Sequence, residues 1–194
     1  MQGQLLSVQL GKAEVLRIQA RSIQSAIHKR PVDGDVAVVT LGLMGDEQVD
    51  LSVHGGLEKA IYAYPVEHYP FWHAEQRSAG VATGEGPLGF GGVGENLSIS
   101  GLLEAEVWVG DLLRFPRCVL RVTQPREPCY KFNAVMGFAQ ASKRMAQSGR
   151  CGFYLAVEEG GALRAGEAFT LEAGPRSYSI AQRFATKMGK HLRD

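Results

Sequence analysis

The sequence contains few cysteines, and their positions exclude several classes of protein. Of its 194 residues, three are cysteine: Cys118, Cys129 and Cys151. They form no CxxC pair, no histidines are spaced with them for a zinc site, and their spacing fits neither an iron–sulfur cluster nor a haem attachment site. An odd and small number of cysteines is typical of reduced thiols. We therefore expect a cytoplasmic protein.

Long hydrophobic runs and a large net charge are absent as well. No apolar run approaches the roughly 20 residues that cross a bilayer, so we expect no membrane-spanning helix. The first residues lack the basic and apolar parts of a signal peptide, so we expect none. The 21 Lys and Arg residues oppose 20 Asp and Glu residues. No overall field therefore attracts nucleic acid or a membrane surface, and any site for an anion must be local.

Glycine is frequent, at 24 residues, and it separates many short segments rich in β-forming residues. The pattern predicts one hairpin from residues 3–10 and 13–18, which flank a glycine and a lysine. It predicts a second hairpin from residues 152–157 and 162–164, on either side of two glycines. Most of the chain is therefore expected to form strands.

Helical patterns are fewer. One is predicted at residues 67–76 and another at residues 137–148. At the C-terminal end, apolar residues recur at every fourth position from Ile180 to Leu192, which indicates an amphipathic helix.

Many short strands with few helices indicate a mainly β (α+β) fold, a β-barrel with a few short helices and a C-terminal helix. A chain of this length fits one domain with a small addition. We expect the barrel domain to span residues 1–174 and the helical extension to span residues 175–194.

The segment 124–131, with the sequence QPREPCYK, is the first candidate for a functional site. Its two prolines lack N–H groups and fix φ, so the segment is extended or turning and holds Cys129 in a loop. Arg126 and Lys131 flank the thiol. Cationic neighbours lower the pKa of a cysteine, and the thiolate is the form that attacks electrophiles or ligates a soft metal. The alternative is a buried cysteine that packs as a small hydrophobic residue.

Residues 89–94 match the GxGxxG spacing of a dinucleotide-binding loop, but we reject that interpretation. The fingerprint needs a strand before it and a helix after it, whereas Pro87 precedes this loop and a strand pattern at residues 96–99 follows it. The glycines either let backbone N–H groups approach a ligand or close a tight loop. Glu95 and Asn96 follow directly and offer a carboxylate and an amide to a polar ligand.

Further candidates for anion binding lie elsewhere in the chain. His54 is followed by two glycines and then by Lys59, an arrangement that suits phosphate or pterin contacts, although a structural role for a turn histidine is the alternative. Arg126, Lys131, Lys59 and Arg150 could form an anion pocket, since arginine binds phosphate with two N–H groups. The alternative is that these are unrelated surface cations.

Taken together and in this order, the motifs resemble the MOSC domain family, the molybdenum cofactor sulfurase C-terminal domains, and within it the YiiM-like branch. The combination is specific, although each piece alone is not. The segments that carry the resemblance are 42–48 (GLMGDEQ), 53–56 (VHGG), 59–65 (KAIYAYP), 94–97 (GENL), 110–111 (GD) and 124–131 (QPREPCYK).

The resemblance implies a closed MOSC-type β-barrel that binds a molybdopterin-type molybdenum cofactor. It makes Cys129 the catalytic residue and the molybdenum ligand, or else a sulfur carrier. The positions that it carries over for cofactor binding are His54, Lys59, Arg126 and Lys131, for the phosphate and pterin, with Glu95 and Asn96 lining the pocket.

The implied activity is the reduction of N-hydroxylated bases or amines, N-hydroxylaminopurine among them. Because the sequence has no iron–sulfur, haem or dinucleotide motif, such an oxidoreductase would need electrons from a separate reductase, which we expect to be a flavoprotein. Members of the branch often end in three helices, whereas a single helix is predicted here.

Two other functions stay open. The first alternative is a non-catalytic cofactor or sulfur carrier, with a persulfide on Cys129 supplied by a pyridoxal-phosphate-dependent cysteine desulfurase. A thiol enzyme without a metal is the third alternative. In none of these do we expect a nucleic acid or a membrane as the partner.

Overall fold

The computed structural model describes residues 1–18, 20–49, 55–83 and 88–191. Within these residues the chain forms thirteen strands, four α-helices and two short 3-10 turns, at Leu57–Lys59 and Val66–His68. The strands are β1 (Gln2–Gly11), β2 (Glu14–Ile18), β3 (Arg21–Ser25), β4 (Lys29–Val32), β5 (Val36–Val39), β6 (Gly42–Leu43), β7 (Ile61–Pro65), β8 (Leu97–Ser100), β9 (Leu112–Arg114), β10 (Val119–Pro125), β11 (Phe153–Glu159), β12 (Gly161–Leu163) and β13 (Ala168–Glu172). The helices are α1 (Tyr69–Ser78), α2 (Tyr130–Met136), α3 (Ala141–Ser148) and α4 (Ile180–His191).

Seven of these strands close into a barrel. They follow one another in the order β13, β9, β10, β11, β7, β8 and β1, and β1 pairs again with β13, where Gly3 lies opposite Phe169. β7 and β8 run parallel, and the connection between them carries α1 and the glycine-rich loop. The prediction of a mainly β fold, a closed barrel with a few short helices and a C-terminal helix, is confirmed.

The core follows from the periodicity of the strands. β13 alternates exposed and buried residues, as expected of a strand with one face on the core and one on solvent. β7 is buried at all five positions, because α1 covers its outer face: the Tyr64 ring stacks on Tyr69 of α1 with the centroids 6.2 Å apart. β7 is therefore packed on both of its faces.

The C-terminal helix α4 forms as predicted, and its first turn explains where it begins. The Ser179 hydroxyl accepts a hydrogen bond from the Gln182 N–H at 3.2 Å, and the Gln182 side chain accepts one from the Ser179 N–H at 3.0 Å, which is a capping box. Lys187 forms an ion pair with Glu127 in the segment before Cys129. Ile180, Phe184 and Met188 are the buried side chains of α4 among those described.

The division of the chain into a barrel domain and a helical extension at residue 174 stays a prediction.

Both predicted hairpins are wrong. β2 pairs with β3, β12 pairs with β5, and neither pairs with the strand that directly precedes it. After β1 the chain is turned by contacts with a distant segment. The Gly11 and Ala13 N–H groups each donate a hydrogen bond of 2.7 Å to a carboxylate in the segment after β6. The helix predicted at residues 137–148 forms only as α3, over Ala141–Ser148. A separate helix, α2, precedes it and ends before Gly137, which has φ 77°.

No helix in the described part of the chain is long and apolar enough to cross a membrane.

Candidate functional site

A cavity of about 90 Å³ lies where the segment after β10 meets the chain before β7 and the connection between β3 and β4. Five side chains that were candidates from the sequence line it together, although they come from separate parts of the chain. They are Lys59, Asn96, Arg126, Cys129 and Lys131.

Arg126 is the most unusual side chain in this cavity, because it is a buried cation with no anionic partner in the described part of the chain. It is 3% exposed, and no carboxylate of the described residues lies within 4.0 Å of it. Its guanidinium donates to the Val93 carbonyl at 2.7 Å and lies 4.9 Å from the ring centroids of Tyr62 and Phe132. Burial opposes this charge, but neighbouring Tyr62 and Cys129 raise the pKa of Arg126. Among the described residues, no carboxylate forms an ion pair with this buried positive charge.

Cys129 lies half-buried on the wall of this cavity, directly before α2. Its backbone is held by two hydrogen bonds to its carbonyl oxygen, from the Phe132 N–H at 3.0 Å and from the Ser142 hydroxyl at 2.7 Å. The other two cysteines are buried: burial raises the pKa of Cys118 to about 12 and that of Cys151 well above the ordinary range. Cys118 and Cys151 are therefore neutral packing thiols.

Two lysines add to the positive charge around Cys129. Lys131 is half-buried in the first turn of α2, and Lys59 ends the 3-10 turn before β7, with its Nζ atom 5.8 Å from the ring centroid of Tyr154. Both line the cavity. Arg150 does not: its guanidinium lies 4.2 Å from the ring centroid of Phe71, outside this site.

Glu95 and Asn96 have different places in the structure. Glu95 is fully buried and does not line the cavity. Its carboxylate accepts hydrogen bonds from the Gly91 N–H at 2.9 Å and the Val93 N–H at 3.0 Å, and it also accepts one from the Tyr69 hydroxyl. It thereby fixes the glycine-rich loop whose Val93 carbonyl binds Arg126.

The glycine at position 91 lets this loop approach β4. It has φ 83°, and a Cβ atom there would collide with the Lys29 carbonyl oxygen. The loop closes tightly on the barrel, so the dinucleotide interpretation was rightly rejected: Leu97 and the residues that follow form β8, not a helix.

Asn96 lines the cavity, but its amide is occupied. Its Nδ2 donates to the Gln9 carbonyl at 3.2 Å and to Asp46 at 3.0 Å, and its Oδ1 accepts from the Tyr62 N–H at 3.2 Å. Asn96 therefore ties β1, β7 and the segment after β6 together at the cavity. The predicted His54 lies outside the described residues.

The cavity wall contains a buried ion pair that the sequence did not predict. The Lys29 Nζ lies 2.5 Å from one Asp46 oxygen and 2.7 Å from the other, with 9% and 4% of the two side chains exposed. Burial lowers the pKa of Lys29, and the Asp46 carboxylate partly offsets this effect. Asp46 lies in a segment that carried the family resemblance, but no local pattern marks Lys29 as its partner.

A second buried pair is not part of the cavity lining. The His68 Nε2 is 2.8 Å from Glu104, whose other oxygen accepts from the Gly152 N–H at 2.8 Å. Burial opposes ionisation of Glu104, but these contacts keep its pKa below the usual 4.5. No group of three or more His, Cys, Asp or Glu side chains among the described residues could hold a metal ion by itself.

The fold agrees with the comparisons with known proteins. The model of the MOSC domain matches residues 50–170, which is more than half of the chain. The chain therefore belongs to the MOSC domain family. The match includes Lys59, Asn96, Arg126, Cys129 and Lys131, and it starts after the Lys29–Asp46 pair.

Three curated relatives show how far the similarity extends. YflK of Bacillus subtilis is 37% identical over 188 residues, which are 96% of this chain and 80% of the relative. Protein YiiM of Escherichia coli is 40% identical over 69% of this chain and 57% of its own length. A protein of Gibberella moniliformis named Reductase is 34% identical over 89% of this chain. The chain spans only 30% of that protein.

The barrel is also similar to solved structures. The crystal structure of YiiM from Geobacillus stearothermophilus superposes with a TM-score of 0.76 at 31% identity, covering 99% of this chain and 86% of the other. That of YiiM from Escherichia coli gives 0.73 at 28% identity, covering 97% and 78%. The chain is therefore a YiiM-like MOSC protein in fold and in sequence.

Proposed function

We propose that this protein is the molybdenum-cofactor-binding component of an oxidoreductase that reduces N-hydroxylated compounds. The observation that carries the proposal is that a half-buried thiol, Cys129, lines the same cavity as a buried guanidinium, Arg126, which has no carboxylate partner among the described residues. The name of one relative, Reductase, supports a redox function as well.

The residues of the cavity fit one end of a molybdopterin-type cofactor. Such a group carries a soft metal and an anionic phosphate, and a thiolate is the ligand that a soft metal prefers, while guanidinium and ammonium groups bind phosphate. The cavity volume of about 90 Å³ is smaller than the roughly 300–1,000 Å³ of a complete small-molecule site. An anionic end fits inside, and the rest of the group would extend past the cavity.

Each side chain has a separate part in this proposal. Cys129 would ligate the metal, and Arg126, Lys131 and Lys59 would neutralise the anionic groups, with His54 as a further phosphate or pterin ligand by its match to the family. Asn96 lines the cavity and holds its walls. When bound, the cofactor would supply a metal that takes up the oxygen of an N–OH group.

The overall reaction fixes what must come from outside the protein. Converting N–OH to N–H and water consumes two electrons and two protons. Because the sequence carries no iron–sulfur, haem or dinucleotide motif, we propose that a separate reductase, a flavoprotein, donates the electrons. The chain would then hold the cofactor and the substrate, and the flavoprotein would be its redox partner.

Molybdenum content and activity, measured on the same preparations, test this proposal. We would purify the wild type and Cys129→Ser from a host that makes the cofactor, and measure molybdenum by elemental analysis and N-hydroxylaminopurine reduction with a chemical electron donor. Cys129→Ser should keep its fold and lose reductase activity. Cys118→Ser is the matched control, since that thiol is buried elsewhere. Undiminished turnover by Cys129→Ser would refute the ligand role.

The half-exposed position of Cys129 also suits a second function, that of a cofactor or sulfur carrier. The same three cations would stabilise a persulfide anion formed by a cysteine desulfurase. Mass spectrometry after incubation with a desulfurase and cysteine distinguishes the two. A persulfide on Cys129, together with no reductase activity in the molybdenum-loaded protein, would favour the carrier.

A further inference from the structure

Tyr154 of β11 lines the cavity of Cys129, although it was not among the candidates from the sequence. It lies directly opposite Tyr62 of β7 in an antiparallel pair, and opposite residues of such a pair project from the same face of the sheet. The centroids of the two rings are 5.4 Å apart, and both residues line the cavity. With 8% of its surface exposed, Tyr154 is a buried and fixed part of the cavity wall.

The hydroxyl group of Tyr154 lacks a partner in the part of the chain that the structure describes. The backbone carbonyl of Tyr154 accepts a hydrogen bond from the Thr123 hydroxyl at 3.0 Å, but the phenolic O–H takes part in none with these residues. The neighbouring Tyr62 differs, because its hydroxyl donates to the Cys151 carbonyl at 2.8 Å. A buried phenol usually has a hydrogen-bond partner, since leaving the group unpaired costs free energy.

The oxygen of this hydroxyl is reached from the cavity. Among the described residues, Gln9 Oε1 is the buried side-chain oxygen that is sealed from solvent and has no partner. The Tyr154 oxygen also has no partner, but it is not sealed in this way, and the residue lines the cavity. Tyr154 therefore offers a hydrogen-bond donor to a molecule that enters the cavity.

The charges around Tyr154 leave the phenol protonated and place cations beside it. The Lys59 Nζ lies 5.8 Å from the centroid of the Tyr154 ring. Burial raises the pKa of Tyr154 above its ordinary value; the Arg126 charge opposes this effect, whereas Cys129 and Glu127 add to it. The hydroxyl thus keeps its proton next to cationic groups that attract an anion.

The acceptor for this donor has to come from a ligand. The two described carboxylates in the cavity lining, Asp46 and Glu47, accept hydrogen bonds from Lys29 and Lys12, and neither is bonded to Tyr154. A phosphate group carries acceptor oxygens on several sides, so one oxygen can face a guanidinium while another faces a phenol.

We propose that Tyr154 is a ligand-binding residue, whose hydroxyl donates a hydrogen bond to an oxygen of the phosphate group that Arg126 binds in this cavity. The two side chains then contact the same anion, one as a cation and the other as a neutral donor. That this phosphate belongs to the cofactor rests on the proposed function.

Titration of inorganic phosphate into the cofactor-free full-length protein tests the hydrogen bond. Tyr154→Phe keeps the ring and removes the donor, so it should bind phosphate about 10- to 150-fold more weakly, as expected for a lost hydrogen bond to a charged group. Its Tm without ligand should equal that of the wild type, because no hydrogen bond with a described residue is lost. Tyr178→Phe is the matched control, since Tyr178 is 54% exposed and lies outside the cavity, and it should bind as the wild type does.

Tyr64→Phe separates a loss of stability from a loss of binding. The Tyr64 hydroxyl is buried outside the cavity lining and donates to the Arg150 carbonyl at 3.0 Å. Tyr64→Phe should therefore have a lower Tm than the wild type and the phosphate affinity of the wild type. Tyr154→Phe should show the reverse.

Three results would overturn the proposal. The first is an unchanged phosphate affinity of Tyr154→Phe, and the second is an equal loss of affinity in Tyr154→Phe and Tyr64→Phe. The third is the absence of saturable phosphate binding by the wild type.

Molybdenum retention distinguishes a failure of this inference from a failure of the proposed function. After dialysis of protein from a host that makes the cofactor, Tyr154→Phe should retain less molybdenum than the wild type and Tyr178→Phe. Phosphate binding through Tyr154 in a protein that never holds molybdenum would refute the proposed function and leave this inference standing. A loaded, active wild type whose Tyr154→Phe variant binds phosphate and retains molybdenum equally well would refute this inference alone.

Discussion

Replacing Arg126 by Met should separate anion binding from stability. Without a ligand, the change loses the hydrogen bond to the Val93 carbonyl, about 1–3 kcal/mol, and the contacts with two rings, about 2 kcal/mol. It also removes a buried charge whose desolvation costs several kcal/mol. The opposing terms cancel to within about 2 kcal/mol. The free energy of unfolding of the ligand-free protein should therefore change little.

Anion binding should respond much more strongly to the same change. Removing one partner of a buried charge pair costs about 2–5 kcal/mol, which lowers affinity by about 30-fold to several thousandfold. Thermal unfolding in rising concentrations of inorganic phosphate measures this. At 100 times Kd, a ligand stabilises the wild type by about 2.7 kcal/mol, which raises Tm by about 5–11 °C for a chain of this size. At the same concentrations the Tm of Arg126→Met should rise by at most about 2–4 °C, which corresponds to the smallest, 30-fold loss of affinity.

Arg150→Met is the matched control for Arg126→Met. Its guanidinium also lies over an aromatic ring, that of Phe71, but outside the cavity. This variant should keep the phosphate response of the wild type. The reasoning is refuted if Arg126→Met responds to phosphate as the wild type does, or if it loses more than about 4 kcal/mol of stability without ligand.

Three further changes test the packing around the cavity. Asp46→Asn leaves Lys29 buried beside a neutral partner, so urea unfolding should show a loss of about 3–5 kcal/mol; a loss below about 1 kcal/mol would contradict the desolvation argument. Gly91→Ala and Gly80→Ala both place alanine at positive φ, at a cost of about 1–3 kcal/mol. The new Cβ atom at position 91 would meet a carbonyl oxygen, whereas the one at position 80 would meet open space. Gly91→Ala should therefore lose clearly more stability, and equal losses would argue against the close approach. Because the pKa of Glu104 is lowered, its contribution to stability is present above pH 4.5 and is lost as the pH falls through the folded-state value. Glu104→Gln should flatten the acid side of the stability profile, and an unchanged slope would contradict this.

The parts of the fold that the sequence predicts well are those with local causes. The apolar repeat and the cap at Ser179 explain α4, and alternation explains β13. Strand pairing has causes that lie far away in the chain: the turn after Gly11 depends on carboxylates 34 and 35 residues later. Both hairpins were predicted because the two segments of each are adjacent in the sequence. Contacts with a distant segment, such as those of the turn after Gly11, leave no signal in the segments themselves.

The site shows the same division. Arg126, Cys129 and Lys131 lie within six residues of each other, so their proximity is visible in the sequence. Lys29 and Asp46 are ordinary residues separately, and only the closed barrel brings them together.

Glu95 illustrates a different limit of sequence reasoning. It was expected to line the pocket, since a carboxylate beside a glycine-rich loop suits a polar ligand equally well. Its oxygens are instead taken by backbone N–H groups of that loop. Only the direction of the side chain separates the two roles, and no local pattern in the sequence reveals that direction.

The pairing of β1 with β13 has a consequence for biosynthesis. On the ribosome the first strand emerges long before its last neighbour: Gln4 pairs with Ala168, and at about 5–20 residues per second the intervening chain takes roughly 8–30 s to synthesise. During that interval the edge of β1 that will face β13 has no strand to pair with. Nascent chains stalled before residue 168 should therefore engage chaperones that released chains do not need.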